Sequence, residues 1–389
     1  MSDSEKITIM ALGGAGCRIL RQFTLLDSSD KFRLLAVDSD VESLQASGVP
    51  EENWIQAGRA LRSGKGCGGD VISGQQVLAN ERRVLHNVLT GTKVLIIVAG
   101  LGGGLASGGL PVILGVAAKL HITTTVLATL PFAMEGFQRR QLADGKVKND
   151  ILPLADAVVA LPNDLLFSTL EAETPIAEAF EKSDKELAKT LFALSAILGG
   201  ANLFNADFAA FTGVLKRRHS LCALGTALVD NSENAAAEAM DKMLSSPLLG
   251  GPESLDNADA VAFSLLGGPE LSLGSARAVL DLCARQVDQD LEKRLLMGAS
   301  TAEEFAGKIM LTVLTVRYLD NPVQTGDNRQ KRSVDRHNNT DMGGGEQLPL
   351  PLIVEDKGIM ENTTPVMFDS EDLDVPTFRR RGLVIDSGK

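Results

Sequence analysis

An α/β fold, with a parallel sheet and helices on both of its faces, is what this sequence predicts on three observations. Val94 to Val98 is an unbroken β-branched and aliphatic run, the pattern of a strand buried on both faces, and it runs straight into the glycine- and alanine-rich stretch Ala99 to Gly109. Lys6 to Leu12 repeats that order at the start of the chain, opening through Gly13-Gly14-Ala15-Gly16 into a helix. A third glycine-rich loop, Gly64 to Gly69, leads into the helical pattern Gln75 to Leu89. Three such loops at the same end of parallel strands exceed what turn chemistry requires, and glycine backbone aimed at a helix N-terminus suits phosphate.

Taken in order, the first strand is followed by a helix from about Cys17 to Leu26 and a strand from Phe32 to Val37 that ends in Asp38-Ser39-Asp40. Asp38 lies where a ribose-binding carboxylate sits in a dinucleotide enzyme. After the organising loop, Ser107 stands before the helix Leu110 to Leu120, with Pro111 in a first turn that tolerates proline. Thr123 to Leu130 is a further buried strand, and the segment after it carries Glu135 and Arg139, four apart and on one helical face. An i,i+4 ion pair is the structural account of that pair. Asp156 to Leu161 is a short strand before Pro162-Asn163-Asp164, and Ile176 to about Leu198 is a long helix in which Phe180 and Asp184 are again four apart. The loop behind it, Gly199 to Phe211, carries Asp207, a residue type that commonly caps helices. Strands at Ser220 to Val229, Ala258 to Leu266 and Ile309 to Tyr318, with helices at Glu233 to Leu244 and Leu273 to Leu291, form a smaller α+β domain. From Leu319 the composition turns to Asn, Asp, Gly, Arg, Pro and Glu, the signature of a disordered linker.

The whole-chain properties exclude several classes. The 389 residues suffice for two cored domains and a tail, and the net charge of −12 gives no basic field for nucleic acid. Apolar runs fall short of the roughly 18 residues that span a bilayer, and MSDSEKIT lacks a signal region, so a soluble intracellular protein is expected. Cys17, Cys67, Cys222 and Cys283 are far apart without CxxC spacing, which fits reduced thiols and argues against zinc.

The order of motifs resembles the FtsZ family, the bacterial cell-division GTPases related to tubulin, across residues 6 to 319 and again at the tail. GGAG at Gly13 to Gly16 is similar to the family's first phosphate loop, AVDSD to its AVNTD segment, and AGLGGGLASGG to AGMGGGTGTGA. PFAMEGFQRR is similar to PFxFEGxxR, LPNDLL to IPNDRLL, NADFAAF to NVDFADV, and SSPLL and GGPELSL to SSPLL and GGxDLSL. LDVPTFRRR resembles the C-terminal peptide LDIPAFLRR. The resemblance implies a tubulin-like GTPase with a GTP-binding domain over residues 1–175, a long central helix and the start of a catalytic loop over 176–204, and a smaller α+β domain over 205–319. A disordered linker over 320–369 and a partner-binding peptide over 370–389 complete it.

It also implies roles. GTP, with Mg²⁺ held through its phosphates and not by the protein, would meet Gly14, Ala15, Gly16, Cys17, Arg18, Gly66, Gly102, Gly103, Gly104, Leu105, Ala106 and Ser107. Glu135 and Arg139 would reach the ribose and phosphate side, and Asn163, Phe180 and Asp184 the guanine. An Asp carboxylate accepts from guanine N1–H and the exocyclic amine, whereas adenine leaves it unpaired. Asn205 and Asp207 would act in the pocket of the next subunit of a head-to-tail filament, Asp207 polarising the attacking water, so polymerisation completes the site. Leu373, Val375, Pro376 and Phe378, with Arg379 and Arg380, would bind a membrane-tethering division adaptor beneath the membrane at the division site.

Several departures matter. Cys17-Arg18 replaces Asn or Gly, then Asn; Arg18 either clasps a phosphate or intrudes on the ribose. Leu105 and Ala106 replace Thr and Gly, and Ala210 replaces the second acidic residue of NVDFADV, which predicts slowed hydrolysis. Two further readings are a nearly inactive subunit that co-assembles with an active paralogue, and a nicotinamide-type oxidoreductase. The latter rests on the first glycine turn and Asp38 alone and leaves the other loops, the NADF segment and the tail unexplained.

Overall fold

A computed structural model describes residues 7–26, 32–59, 66–167, 170–171, 173–199, 213, 220–232, 234–287, 295–319, 367–368 and 371–372. The chain divides into a unit Met1–Gly326 and a unit Asp327–Lys389. In the second, Met367–Phe368 and Glu371–Asp372 pair as a short antiparallel ladder that straddles the end of the expected linker.

In the first unit, a ten-stranded sheet contains β1 (Ile7–Leu12), β2 (Arg33–Asp38), β3 (Trp54–Gln56), β4 (Val94–Gly100), β5 (Thr123–Leu130), β6 (Ala157–Pro162), β7 (Ser220–Asp230), β8 (Ala260–Gly267), β9 (Leu295–Thr301) and β10 (Lys308–Tyr318). Their order is β3-β2-β1-β4-β5-β6-β7-β10-β8-β9. Every neighbouring pair is parallel except the two that β10 makes with β7 and β8. β7 joins β6 through Ala157↔Ser220 to Val159↔Cys222, so the strands of the expected C-terminal domain extend the N-terminal sheet.

Alternation along the strands feeds two cores. Ile7, Ile9 and Ala11 of β1 and Val94, Ile96 and Val98 of β4 face α1 (Gly13–Leu26) and the long helix α8 (Ile176–Gly199). Met10, Leu12, Leu95 and Ile97 face the opposite side, covered by α3 (Val71–Asn80), α4 (Arg82–Leu89) and α5 (Gly104–Lys119). Both faces being covered explains why β4 reads as a continuous apolar run. A third core lies where β7, β8 and β10 pack on α9 (Ala235–Leu244) and α10 (Leu273–Arg285). Short helices α2 (Val41–Ala46), α6 (Phe137–Lys146) and α7 (Asn163–Phe167) complete the positions needed below.

Local boundaries differ from the sequence expectations for physical reasons. Helix α1 begins at Gly13 and α5 at Gly104, so the glycines form the first turns of helices and do not merely precede them. Pro111 is therefore an interior residue of α5, not a first-turn one. The early start is fixed by close packing of α3 on α5. A Cβ on Gly104 would stand 2.7 Å from Asp70 N, one on Gly108 2.0 Å from Val71 O, and one on Gly74 2.1 Å from Gly104 O. The single helix expected over Gln75 to Leu89 breaks at Glu81 into α3 and α4. Strands β3 and β9 went unread: β3 has only three residues, and in β9 Gly298 and Ala299 interrupt the apolar run. Among the described residues no helix is long and apolar enough to cross a membrane.

Candidate functional site

The sheet order reverses between β1 and β4, the place where open α/β sheets bind ligands beyond the carboxyl ends of their strands. A cavity of about 520 Å³ opens there, within the range of small-molecule sites. Gly13, Gly14 and Ala15 from the end of β1, Gly66 to Gly69, and Gly100 to Ala106 from the end of β4 line it together. The first and last of these loops meet closely: a Cβ on Gly100 would stand 2.5 Å from Ala15 Cβ.

Two features suit this end to an anion. Gly103, the N-cap of α5, provides no side-chain hydrogen bond, so the helix presents its first N–H groups uncapped. Gly102 holds φ +106° there, a conformation closed to most side chains, and its N–H donates to Ser107 Oγ at 2.9 Å. Ser107 is fully buried and lies behind the cavity wall. Gly16 and Cys17 also lie behind the wall. A Cβ on Gly16 would meet Val98 O at 2.5 Å, which makes it a contact between α1 and β4, and burial pushes the Cys17 thiol up to about 12. Ala106 lines the cavity while its Cβ stands 3.5 Å from where Gly13 would carry one.

The cavity is also lined by Asn163, Phe180 and Asp184. Phe180 packs edge-on to Phe132, ring centroids 5.1 Å apart. Asn163 Oδ1 is buried and accepts no hydrogen bond, an acceptor that a ligand donor would satisfy. Asp184, 8% exposed, accepts from Arg18 Nε at 2.9 Å. Desolvation raises its carboxyl above the usual range, opposed by the Arg18 charge. Arg18 thus lines the same cavity, paired with a carboxylate. Glu135 and Arg139 line the wall and pair with each other at 3.1 Å, and Glu135 Oε1 also accepts from Phe132 N–H at 3.0 Å.

Ser183 and Leu187 were not anticipated, although 180, 183, 184 and 187 fall on one stripe of α8 and helical spacing would have found them. Asp38 and Asp40 also line the cavity. Asp38 Oδ1 accepts from the N–H groups of Ser39 at 2.6 Å and Asp40 at 3.1 Å, and burial raises its carboxyl. Among the described residues no group of three or more His, Cys, Asp or Glu gathers to hold a metal. Asn205, Asp207, Ala210, Leu373, Val375, Pro376, Phe378, Arg379 and Arg380 lie outside the described residues.

Comparison with known proteins agrees with this geometry. Residues 6–171 match the GTPase domain model of the Tubulin/FtsZ family, and residues 221–317 the C-terminal domain model of the FtsZ family. A solved structure described as an empty FtsZ dimer from M. jannaschii is 26% identical with a TM-score of 0.72, over 80% of this chain and 88% of that one. CetZ2 from Haloferax volcanii, solved as a GTPγS-bound protofilament, is 22% identical with a TM-score of 0.64, over 80% and 93%. CetZ1 from the same organism, a GDP-bound monomer, is 17% identical with a TM-score of 0.66, over 80% and 93%. With the two family models together matching well over half of the sequence, and the sheet order and glycine cradle in agreement, the chain belongs to the tubulin/FtsZ family.

Proposed function

We propose that this protein is a self-assembling cytoskeletal GTPase of cell division. It binds GTP in the cavity between β1 and β4, polymerises head to tail into filaments of the division ring and hydrolyses GTP at the subunit interface. The observation that carries the reading is the pairing, in one cavity, of an uncapped glycine-rich helix start with an Asn163, Phe180 and Asp184 cluster that has an unfilled acceptor. The phosphates take the glycine N–H groups and the base takes that cluster. Mg²⁺ would be held through the nucleotide's phosphates and not by a cluster of protein ligands, and would share the phosphate charge with the glycine N–H groups. Glu135 and Arg139 face the ribose and phosphate side.

Hydrolysis then needs a water aligned on the terminal phosphate. By resemblance, Asp207 and Asn205 of the adjoining subunit supply that alignment, with Asp207 polarising the water. With Ala210 in place of a second acid, turnover is slow, since losing one hydrogen-bonding group in a catalytic site costs about a hundredfold in rate or more. The tail residues Leu373, Val375, Pro376, Phe378, Arg379 and Arg380 dock on a membrane-tethering adaptor at the cytoplasmic division site, the arginines adding charge for an acidic groove. Ala210 also favours a second reading, a nucleotide-bound subunit that relies on an active paralogue for turnover.

Phosphate release measured against protein concentration, with sedimentation of the same samples, separates these readings. Turnover per subunit that rises above a critical concentration together with pelleting supports the polymerising GTPase. Pelleting without turnover supports the second reading, and neither signal refutes both. Ala210→Asp is expected to raise turnover, and Asp207→Ala to abolish it while GTP still binds.

A further inference from the structure

The cavity contains a charge, Arg18, to which the proposed function gives no specific role. Arg18 lies on the second turn of α1 and reaches across to α8, where its Nε–H donates to Asp184 Oδ2 at 2.9 Å. Its side chain is 52% exposed while that of Asp184 is 11% exposed, so the guanidinium stands at the open side of a buried carboxylate. Neither side chain makes another hydrogen bond among the described residues. Among the described residues, Asp184 Oδ1 therefore retains its acceptor capacity, and the Nη groups of Arg18 retain their donors. The two side chains therefore place a carboxylate acceptor and a guanidinium donor side by side in the lining of the cavity.

We infer that Arg18 is a specificity-determining residue of the nucleotide site, reading a keto oxygen at purine position 6 beside the carboxylate that reads N1–H and the 2-amino group. The inference rests on the cavity being a guanine nucleotide site. The complementarity follows from the order of groups on the guanine edge: two donors, the 2-amino group and N1–H, then one acceptor, O6. An ionised carboxylate has about four lone-pair sites, so the Nε bond at Oδ2 does not exclude the base. A guanidinium carries five donors in a planar fork, so one spent on Asp184 leaves others for O6. Adenine opposes this edge at both places, with an unprotonated N1 against the carboxylate and an amino group against the guanidinium. Arg18 thus helps to bind the nucleotide and does not obstruct it, and the ion pair persists in the bound state.

The test compares GTP, inosine triphosphate and 6-thioguanosine triphosphate, titrated with Mg²⁺ into wild type and Arg18→Ala at pH 7, where the 6-thio base keeps its N1–H. Inosine lacks only the 2-amino group and so reports on Asp184; the 6-thio analogue keeps both donors and weakens only the acceptor at position 6. Wild type is expected to prefer GTP to the 6-thio analogue by about tenfold, the scale of one hydrogen bond to a charged group. In Arg18→Ala, GTP affinity falls about tenfold, the preference over the 6-thio analogue collapses to near unity, and the preference over inosine triphosphate persists. A thermal melt of each protein, and a second variant Arg18→Gln that keeps side-chain length, show that the fold is intact. Tighter GTP binding in Arg18→Ala would make Arg18 a plug and overturn the inference, as would an unchanged 6-thio preference. Wild type that binds GTP no better than ATP would instead refute the guanine reading itself.

Discussion

Replacing Ser107 with Ala separates two roles for one hydroxyl. By resemblance it would donate to a phosphate; in the structure it is fully buried behind the cavity wall and accepts the Gly102 N–H at 2.9 Å. Gly102 holds φ +106° and packs so closely on Pro131 that a Cβ would come within 2.7 Å of its ring, so its N–H cannot turn to another acceptor without moving the loop. Leaving a buried donor unsatisfied costs about 1–3 kcal/mol. The nucleotide-free protein should therefore melt lower in Ser107→Ala, by about 2–4 °C for each kcal/mol. Differential scanning calorimetry with and without GTP decides the matter. If Ser107 holds the loop, the loss appears in the empty protein. If it binds phosphate, the empty protein melts as wild type and only the stabilisation by GTP shrinks. An unchanged melting temperature without nucleotide would refute the loop-holding role.

Three further outcomes follow from packing, burial and the orphaned acceptor. Gly108→Ala places a methyl about where Val71 O stands, only 2.0 Å away, forcing α3 and α5 apart; a loss of about 1–3 kcal/mol or more is expected in urea unfolding. Asp38→Asn should stabilise the protein at neutral pH, because burial raises the Asp38 carboxyl and penalises its charged form. The sign follows from proton uptake: the native state holds this proton more tightly than the unfolded state. Wild type thus gains stability from Asp38 as pH falls through the folded value, and the advantage of the Asn variant vanishes below the unfolded value of about 3.9, which melts across a pH series would show. Asn163→Ala removes a buried acceptor that has no partner in the empty protein, so stability should hold or rise while GTP affinity drops about tenfold in a binding titration.

Much of the fold was legible because its strands are buried on both faces. Thr123 to Leu130 shows this most directly, being apolar or threonine throughout and forming a strand over those same residues. The central helix was equally plain, its apolar stripe running from Phe180 to Leu194. The glycines were legible as a group but not in their separate tasks. Composition does not distinguish Gly102 and Gly103, which shape the cavity, from Gly16, Gly108 and Gly109, whose missing side chains let α1 approach β4 and α3 approach α5. Arg18 shows a different limit. Its departure from the family pattern was visible in the sequence, but its partner Asp184 is 166 positions away and nothing in the spacing links them. The join of β7 to β6 was hidden for the same reason, because pairing between distant segments is set by the sheet edge and not by either strand's own pattern.

The central claim is that the cavity between β1 and β4 selects a guanine nucleotide. Its most direct test is an equilibrium titration of the nucleotide-free protein with GTP and with ATP in the presence of Mg²⁺. The account predicts one GTP bound per chain, with ATP weaker by about a hundredfold or more, because adenine leaves the Asp184 carboxylate unpaired. Equal affinities, or no binding of either, would contradict it.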